Sequence, residues 1–414
     1  MSFGEILMYS VSFFGIFTSL YFLITLIENR NNLTNPKSKK KPTVTVIVPA
    51  YNEEHTIEKT IRSLLNLDYP KDKLDIIVVD DGSTDNTFKV AKKFASDQLT
   101  VIRKKNGGKA TAMNLGIKMS TTDFIGCLDA DSFVAPDALK KMVGYFNNKK
   151  VTAVTPSLKV HNAKTVLQKV QMIEYLIGVF LRKSFSLLGS IHVTPGPFTI
   201  YRKEFFKKYG GFDENNLTED IEIALRIQSK NHMIENAMNA SVYTVAPDNW
   251  SDLMKQRLRW YMGFIDNVAK YTRLFGKKHG NLGILIMPAS LLSVALVVTM
   301  LLYVIFITTS NALKSLINMY NIDFDIWAMF SPNTDLFYLN FSTLAFIGII
   351  SISLGITIIW IAKKISEEDT SIKFPYLLFL SIYWIIFGYW WLLSIIYKIL
   401  GKKVGWGHKS VKST

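Results

Sequence analysis

The sequence predicts an α/β domain built on a mostly parallel sheet, held beside α-helices that cross a membrane. Two observations carry that fold class. Four long, nearly uncharged apolar runs lie at roughly 6–27, 282–308, 336–361 and 375–397, and each reaches the ~20 residues an α-helix needs to span a bilayer. Between the first and second of these, short β-rich runs alternate with segments of helical periodicity, the pattern of a sheet covered by helices on both faces. A buried core helix accounts for one such apolar run but not for four.

Each element follows from its own residues. The run 43-TVTVIVPA-50 reads as a strand ending at Tyr51-Asn52, and Ile57, Ile61, Leu64 and Leu65 then recur at helical spacing. A second strand, 74-LDIIVVD-80, runs into 80-DDGSTDNT-87, where Ser83 or Thr84 is placed to cap a helix whose apolar face is Phe88, Ala91 and Phe94. A third strand fits 98-QLTVIRK-104, a helix begins after Gly107-Gly108, and a fourth strand, 123-DFIGCLD-129, ends in Asp129-Ala130-Asp131. Residues 165–190 carry Lys169, Glu174, Arg182 and Lys183 on an apolar background, which suits either an amphipathic helix in the membrane interface or a buried helix. The Gly196-Pro197 pair in 194-TPGPFTIYRKE-204 reads as a turn.

Composition narrows the function. The chain of 414 residues is 49% hydrophobic and carries a net charge of +15, a balance that suits anionic headgroups and an anionic substrate. No motif or basic-aromatic pattern points to nucleic acid. Cys127 is the only cysteine, so a disulfide framework and a cysteine-based zinc site are excluded, and at the end of an apolar strand it reads as core filling. The first apolar run lacks the basic n-region and small-residue cleavage site of a signal peptide. The sequons at Asn32 and Asn216 are read as chance.

Basic residues set the expected topology. Arg30, Lys37, Lys39, Lys40 and Lys41 come directly after the first run, and flanking positive charge marks the cytoplasmic side. Met1 is therefore expected outside and residues 28–280 in the cytoplasm of a multi-pass cell-membrane protein. The expected division is a first span and basic linker over 1–42, a catalytic domain with interfacial helices over 43–280, further spans over 281–400 and a basic tail over 401–414. Three later spans would leave that tail outside, although it holds Lys402, Lys403, Lys409 and Lys412 and no acid. Either a span is re-entrant or missed, or the charge rule fails here. The loop at about 309–335 is poor in Lys and Arg, as an outer face would be.

Polar clusters end three of the strands: Tyr51-Asn52-Glu53, Asp80-Asp81-Gly82-Ser83 and Asp129-Ala130-Asp131. In open α/β sheets ligands bind outside the carboxyl ends of the strands, so three such clusters on one edge outline a site. The runs VPAYNE (48–53), VVDDGSTDNT (78–87), NGGKATAMN (106–114), DADS (129–132), TED (218–220) and QRLRW (256–260) stand in the order and spacing of inverting family-2 glycosyltransferases. Over residues ~43–270 the chain resembles the membrane-embedded processive synthases of poly-N-acetylglucosamine, cellulose, chitin and hyaluronan.

That resemblance implies a GT-A, nucleotide-sugar-binding fold and assigns roles. Asp131 would hold Mg²⁺ or Mn²⁺ with support from Asp129, since hard oxygen ligands suit these ions. Tyr51 would stack on a uracil, Glu53 would meet the ribose, Asp80 or Asp81 would accept from the base, and Lys109 would contact the UDP moiety. Asp220 would be the general base, with Glu219 beside it as a like charge that raises a carboxyl pKa. Gln256, Arg259 and Trp260, at i, i+3 and i+4, share one helix face; they would bind the acceptor and the diphosphate, while Arg257 points elsewhere toward lipid headgroups. Trp406-Gly407-His408-Lys409 loosely resembles a Trp-containing C-terminal segment of relatives.

The function implied is a processive inverting transferase that polymerises a UDP-sugar, foremost UDP-N-acetylglucosamine, into a β-linked polysaccharide and moves it across the membrane. With so few spans, an accessory membrane subunit or a homo-oligomer would complete the channel. The alternative is a non-processive enzyme placing one sugar on a polyprenyl phosphate or glycolipid. Tyr261-Met262-Gly263 departs from the residues after QRLRW in poly-N-acetylglucosamine synthases, which weighs on the product and not on the reaction class.

Overall fold

The computed structural model of the chain describes residues 2–38, 40–321, 343–368 and 371–402. Its centre is an eight-stranded mixed sheet in the order β3-β2-β1-β4-β7-β6-β8-β5. The strands are β1 (Val44–Ala50), β2 (Leu74–Asp80), β3 (Leu99–Arg103), β4 (Phe124–Cys127), β5 (Ser132–Val134), β6 (Val151–Val160), β7 (Thr199–Arg202) and β8 (Met233–Thr244). The pairs β1–β2, β1–β4, β2–β3 and β6–β8 are parallel. Only β7 and β5 run against their neighbours, so the expectation of a mostly parallel sheet holds.

The parallel half is buried on both faces, and β1 shows why. Its Val44, Val46 and Val48 pack with Ile57, Ile61 and Leu64 of α2 (Ile57–Leu65). Ile47, pointing the other way, packs with Ala112 and Met113 of α4 (Lys109–Met119). Successive strand residues face opposite sides, so a continuous apolar run fills two cores. Cys127 lies buried in the second of them. Parallel register brings the carboxyl ends of the strands together, with Ala50 opposite Asp80 and Ile47 opposite Cys127.

The helix after β2, α3 (Thr87–Lys92), starts later than the capping argument predicts. Its N-cap is Asn86, without a side-chain cap, and Asp85 Oδ1 accepts from the Thr87 N–H at 3.0 Å. Ser83 and Thr84 are engaged elsewhere. Ser83 Oγ accepts the Asn52 N–H at 3.0 Å, and Asn52 Oδ1 accepts the Thr84 N–H at 2.8 Å. The competing partner is the turn after β1, which the sheet sets beside this one.

Behind the sheet, α5 (Ala138–Val143) closes the first core. The long α6 (Val166–Leu187) lies along β6 and β8. Gln168 Nε2 donates to the Ala246 carbonyl at 3.0 Å near one end, and Ser186 bonds the Glu235 carboxylate at the other. Three more helices, α7 (Lys203–Tyr209), α8 (Glu219–Ser229) and α9 (Trp250–Lys270), complete the domain.

Among the described residues, four helices are long and apolar enough to cross a membrane: α1 (Phe3–Glu28), α10 (Met287–Asn321), α11 (Thr343–Ile365) and α12 (Lys373–Ile399). A π-helical turn at Leu282–Ile286 leads into α10. The inner ends of α1 and α11 rest on α6, where Leu23, Leu26 and Ala362 pack with Leu176 and Phe180. Thus α6 is the floor between sheet and apolar helices, touching both. Residues 309–321 continue α10. The rest of the loop to 342, including the start of the third apolar run, lies outside the described residues, as does the tail from 403 with Trp406 and His408.

Candidate functional site

The turns after β1 and β2 are locked to each other, and that lock shapes one wall. Asn52 sits in the left-handed region at φ 55°, which Asn tolerates better than most residues. Asp81, just past β2, accepts the N–H groups of Gly107 (3.1 Å) and Gly108 (2.8 Å) and the Lys104 ammonium. Asp80 turns away, paired with Arg103 Nε at 3.1 Å. Of the two aspartates the sequence offers for base recognition, Asp81 lines the central cavity and Asp80 does not.

That cavity is about 880 Å³, at the large end for a small-molecule site. Its wall at the end of β4 is acidic. Glu53 is raised to about 7 by burial, then by the charges of Asp131 and Asp129, although Thr56 Oγ1 donates to it at 2.6 Å. Asp131 is raised to about 6 by burial and then by Asp129, against a 3.0 Å bond from Ser132. Crowded carboxylates with raised pKa suit a hard divalent cation, which removes their mutual repulsion. Among the described residues no three His, Cys, Asp or Glu side chains form a ready-made metal cage.

Lys109 opens α4 behind Gly108, whose φ of 92° suits glycine. Its ammonium contacts Asp129 Oδ1 at 2.6 Å and Glu219 Oε1 at 3.1 Å. Burial alone would lower its pKa, but these carboxylates outweigh burial and raise it. The approach depends on Gly196: a Cβ there would lie 2.7 Å from the Lys109 ammonium and 2.8 Å from Asp129 Oδ2. Lys109 therefore lines the cavity as the link between the β4 end and the start of α8.

Glu219 and Asp220 form the first turn of α8, where the dipole favours acids. The Asp220 carbonyl accepts the Thr194 N–H at 3.2 Å and its hydroxyl at 2.9 Å, which fixes that turn. The Asp220 side chain faces the cavity, and burial followed by Glu219 raises it to about 6. A carboxylate so placed is able to take a proton near neutral pH.

The opposite wall is α9, which contributes Gln256, Arg259 and Trp260. Arg257 overturns the expectation that it faces lipid. It is fully buried, paired with Glu174 of α6 at 2.7 Å, and stacked 4.3 Å from the Trp260 ring centroid and 5.5 Å from that of Trp390. A carboxylate and two aromatic faces make burial tolerable for a guanidinium. Trp260 is thus backed by Arg257.

Sequence reasoning missed the tie between these walls. The Asn267 Nδ2 donates to Thr218 Oγ1 and to the Gly263 carbonyl, both at 3.0 Å, while Asn216 Nδ2 donates to Asn267 Oδ1 at 2.9 Å. Gly263 lies directly under Thr218, whose hydroxyl occupies the place of a Cβ. Gly263→Ala should push α9 off the α8 turn at about 1–3 kcal/mol, the usual cost of overpacking. The expected result is a lower thermal midpoint and slower turnover with donor affinity kept. The cavity also takes in Tyr175 and Arg182 from α6 and Trp391 from α12. Only the charges of the 165–190 segment hinted at any of these.

Residues 45–210 match Glycosyl transferase family 2. The poly-beta-1,6-N-acetyl-D-glucosamine synthase of Staphylococcus epidermidis is 33% identical over 265 residues, covering 61% of this chain and 64% of that protein. The synthase of the same name from Staphylococcus aureus is 35% identical over 276 residues, 63% and 65% of the two chains. The match therefore spans just under two thirds of these relatives. A solved mannosyltransferase from Pyrobaculum calidifontis, in complex with GDP-Man and Mn²⁺, superposes with a TM-score of 0.52 at 20% identity, covering 84% of this chain and 99% of that one. At that identity the likeness is one of fold, the GT-A arrangement beside apolar helices. The stretch that resembles glycosyl transferase family 2, residues 45–210, holds all three polar strand ends.

Proposed function

We propose that the chain is a processive, inverting transferase that polymerises a UDP-sugar, UDP-N-acetylglucosamine first among them, and passes the product toward its apolar helices. One observation carries this reading. A single cavity is lined by Asp81, Asp129 and Asp131 at the strand ends, by Asp220 at the start of α8 and by Gln256, Arg259 and Trp260 of α9, and it reaches Trp391 on an apolar helix. The relatives' name supplies the sugar and the linkage class.

Donor binding falls to the β1 and β2 turns. Tyr51 is 37% exposed at the rim and offers a ring for the base, with the Asp81 carboxylate below it. Asp131, supported by Asp129, would hold Mg²⁺ or Mn²⁺ together with the diphosphate. When bound, that cation offsets the charge that develops on the leaving phosphate. Asp220 takes the proton of the acceptor hydroxyl as its oxygen bonds to the anomeric carbon. The bond from that carbon to the phosphate oxygen breaks, and UDP leaves with the electron pair. Attack from the face opposite the diphosphate inverts the centre. Trp260, braced by Arg257, offers a flat face to the acceptor sugar.

A second reading has its own observation. Arg182 lines the cavity from α6 with no acidic partner in ion-pair range among the described residues, and its Nε donates to the Gly178 carbonyl of its own helix at 3.3 Å. Burial lowers its pKa to about 10. An unpaired guanidinium there suits the phosphate of a lipid-linked acceptor.

The test is UDP release in nanodiscs over a panel of UDP-sugars with Mg²⁺, Mn²⁺ or EDTA, with product size read on a gel. A ladder from one donor, abolished by EDTA, is expected. A single-sugar product formed only with added polyprenyl phosphate would replace this reading with the second.

A further inference from the structure

Glu174 lines the cavity without a part in the donor chemistry. It belongs to α6, and with Gly178, Leu181, Arg182 and Phe185 it makes up the stripe of that helix turned to the cavity. These positions fall at i, i+4, i+7, i+8 and i+11, which share one helix face. Glu174 Oε2 accepts from Arg257 Nη2 of α9 at 2.7 Å, across the seam between the two helices.

The pair is asymmetric. Arg257 is fully buried and does not line the cavity, whereas the Glu174 side chain lines it and stays 23% exposed. A carboxylate that served only to neutralise Arg257 would gain by being closed in with it, since their attraction grows as water is excluded. The anion stands instead on the cavity surface, with the cation behind it. The Arg257 guanidinium also lies 4.3 Å from the Trp260 ring centroid. One buried cation therefore holds both a carboxylate and an aromatic face at this wall.

The neighbouring chemistry identifies the ligand. Gln256 of α9 lines the same cavity, and its Oε1 is buried with no hydrogen-bond partner among the described residues. An ionised carboxylate and an amide oxygen both only accept. Two acceptors and an aromatic face on one cavity call for a ligand that is rich in donors and flat on one side. A sugar meets both demands, because its hydroxyls donate while its C–H face stacks. A phosphate meets neither, and the carboxylate repels it.

Resting on the polymerising reading above, we infer that Glu174 is a further acceptor-binding residue. Its carboxylate accepts hydrogen bonds from a vicinal pair of hydroxyls on the growing chain, where that chain passes between α6 and α9. In a β-1,6-linked chain, the linkage named for the relatives, every ring keeps its 3- and 4-hydroxyls free. Each ring thus presents the same pair as it advances. Arg257, which stays off the cavity, is a positioning residue for Glu174 and Trp260.

Glu174→Gln removes the charge but keeps an oxygen for Arg257, and Glu174→Asp keeps the charge but draws the carboxylate back by one methylene. Elongation of a β-1,6-linked N-acetylglucosamine oligosaccharide in nanodiscs is compared with that of its 4-deoxy analogue. With the parent, the analogue should need a concentration about 10-fold higher or more, the loss of one hydrogen bond to a charged group. With Glu174→Gln, the ordinary oligosaccharide should weaken to a similar degree, and the penalty for the missing hydroxyl should shrink several-fold. Donor KM should hold, and the product should be shorter for the same UDP released. A purely structural Glu174 would weaken both oligosaccharides by one factor and leave the penalty intact; that result overturns the inference, as does a parent indifferent to the 4-hydroxyl. Should Glu174→Gln fail to fold, Glu174→Asp carries the same comparison, because Arg257 keeps its counter-ion. A parent that forms no polymer from any UDP-sugar would remove the polymerising reading and this inference with it. A parent that polymerises, with both variants keeping the full penalty, removes the inference alone.

Discussion

Asp220→Asn should lower turnover by about 10²–10⁴-fold, the usual worth of a positioned general base, while leaving donor affinity close to that of the parent. The amide keeps the shape of the side chain and the backbone bonds from Thr194 that hold the α8 turn, but it accepts no proton. The pH profile carries the sharper test. A general base works deprotonated, and this carboxyl is raised to about 6 by burial and by Glu219, so the parent's kcat should rise with pH through about 6 and then level. Protonation of Asp131 or Glu53, raised to about 6 and about 7, weakens the donor side and belongs in KM. Loss of the kcat limb in Asp220→Asn, with the KM limb retained, is the expected outcome. A variant with near-parental kcat would remove Asp220 from the chemistry.

Lys109→Met should be the most destabilising single change in the site. The ammonium sits between Asp129 and Glu219 with its side chain 17% exposed, and removing one member of a buried ionic cluster leaves its partners uncompensated. Such losses run to about 3–5 kcal/mol, which for a domain of this size lowers the unfolding midpoint by roughly 10 °C. Turnover should fall as well, because Asp129 then has no partner holding it at the end of β4. Lys109→Arg restores the charge but crowds the space that Gly196 leaves, so partial recovery of stability is expected, measured by thermal unfolding in detergent. Equal midpoints for the parent and Lys109→Met would show that the cluster contributes nothing net.

Much of the site was legible because strand ends and turn residues follow local rules. Tyr51, Glu53, Asp81, Asp129 and Asp131 all sit where parallel strands stop, and the register gathers them into one wall. Contacts between distant segments were not legible. Arg257 looks like a surface residue on its own helix, since its partner Glu174 lies on a different one and the tryptophan that completes its pocket comes from α12. Ser83 reads as a helix cap until the turn after β1 is set beside it. Three-dimensional neighbours decide both of these cases.

The Asn267 tie has an evolutionary consequence. Asn216, Thr218, Gly263 and Asn267 form one hydrogen-bonded and sterically closed unit, so a change at any one of them exposes a defect that the other three cannot absorb singly. Lineages that vary this unit should vary it in concert, leaving a statistical signature of paired substitutions between the segment before α8 and the middle of α9. The turns after β1 and β2, bonded to each other but not to this unit, are free to drift independently.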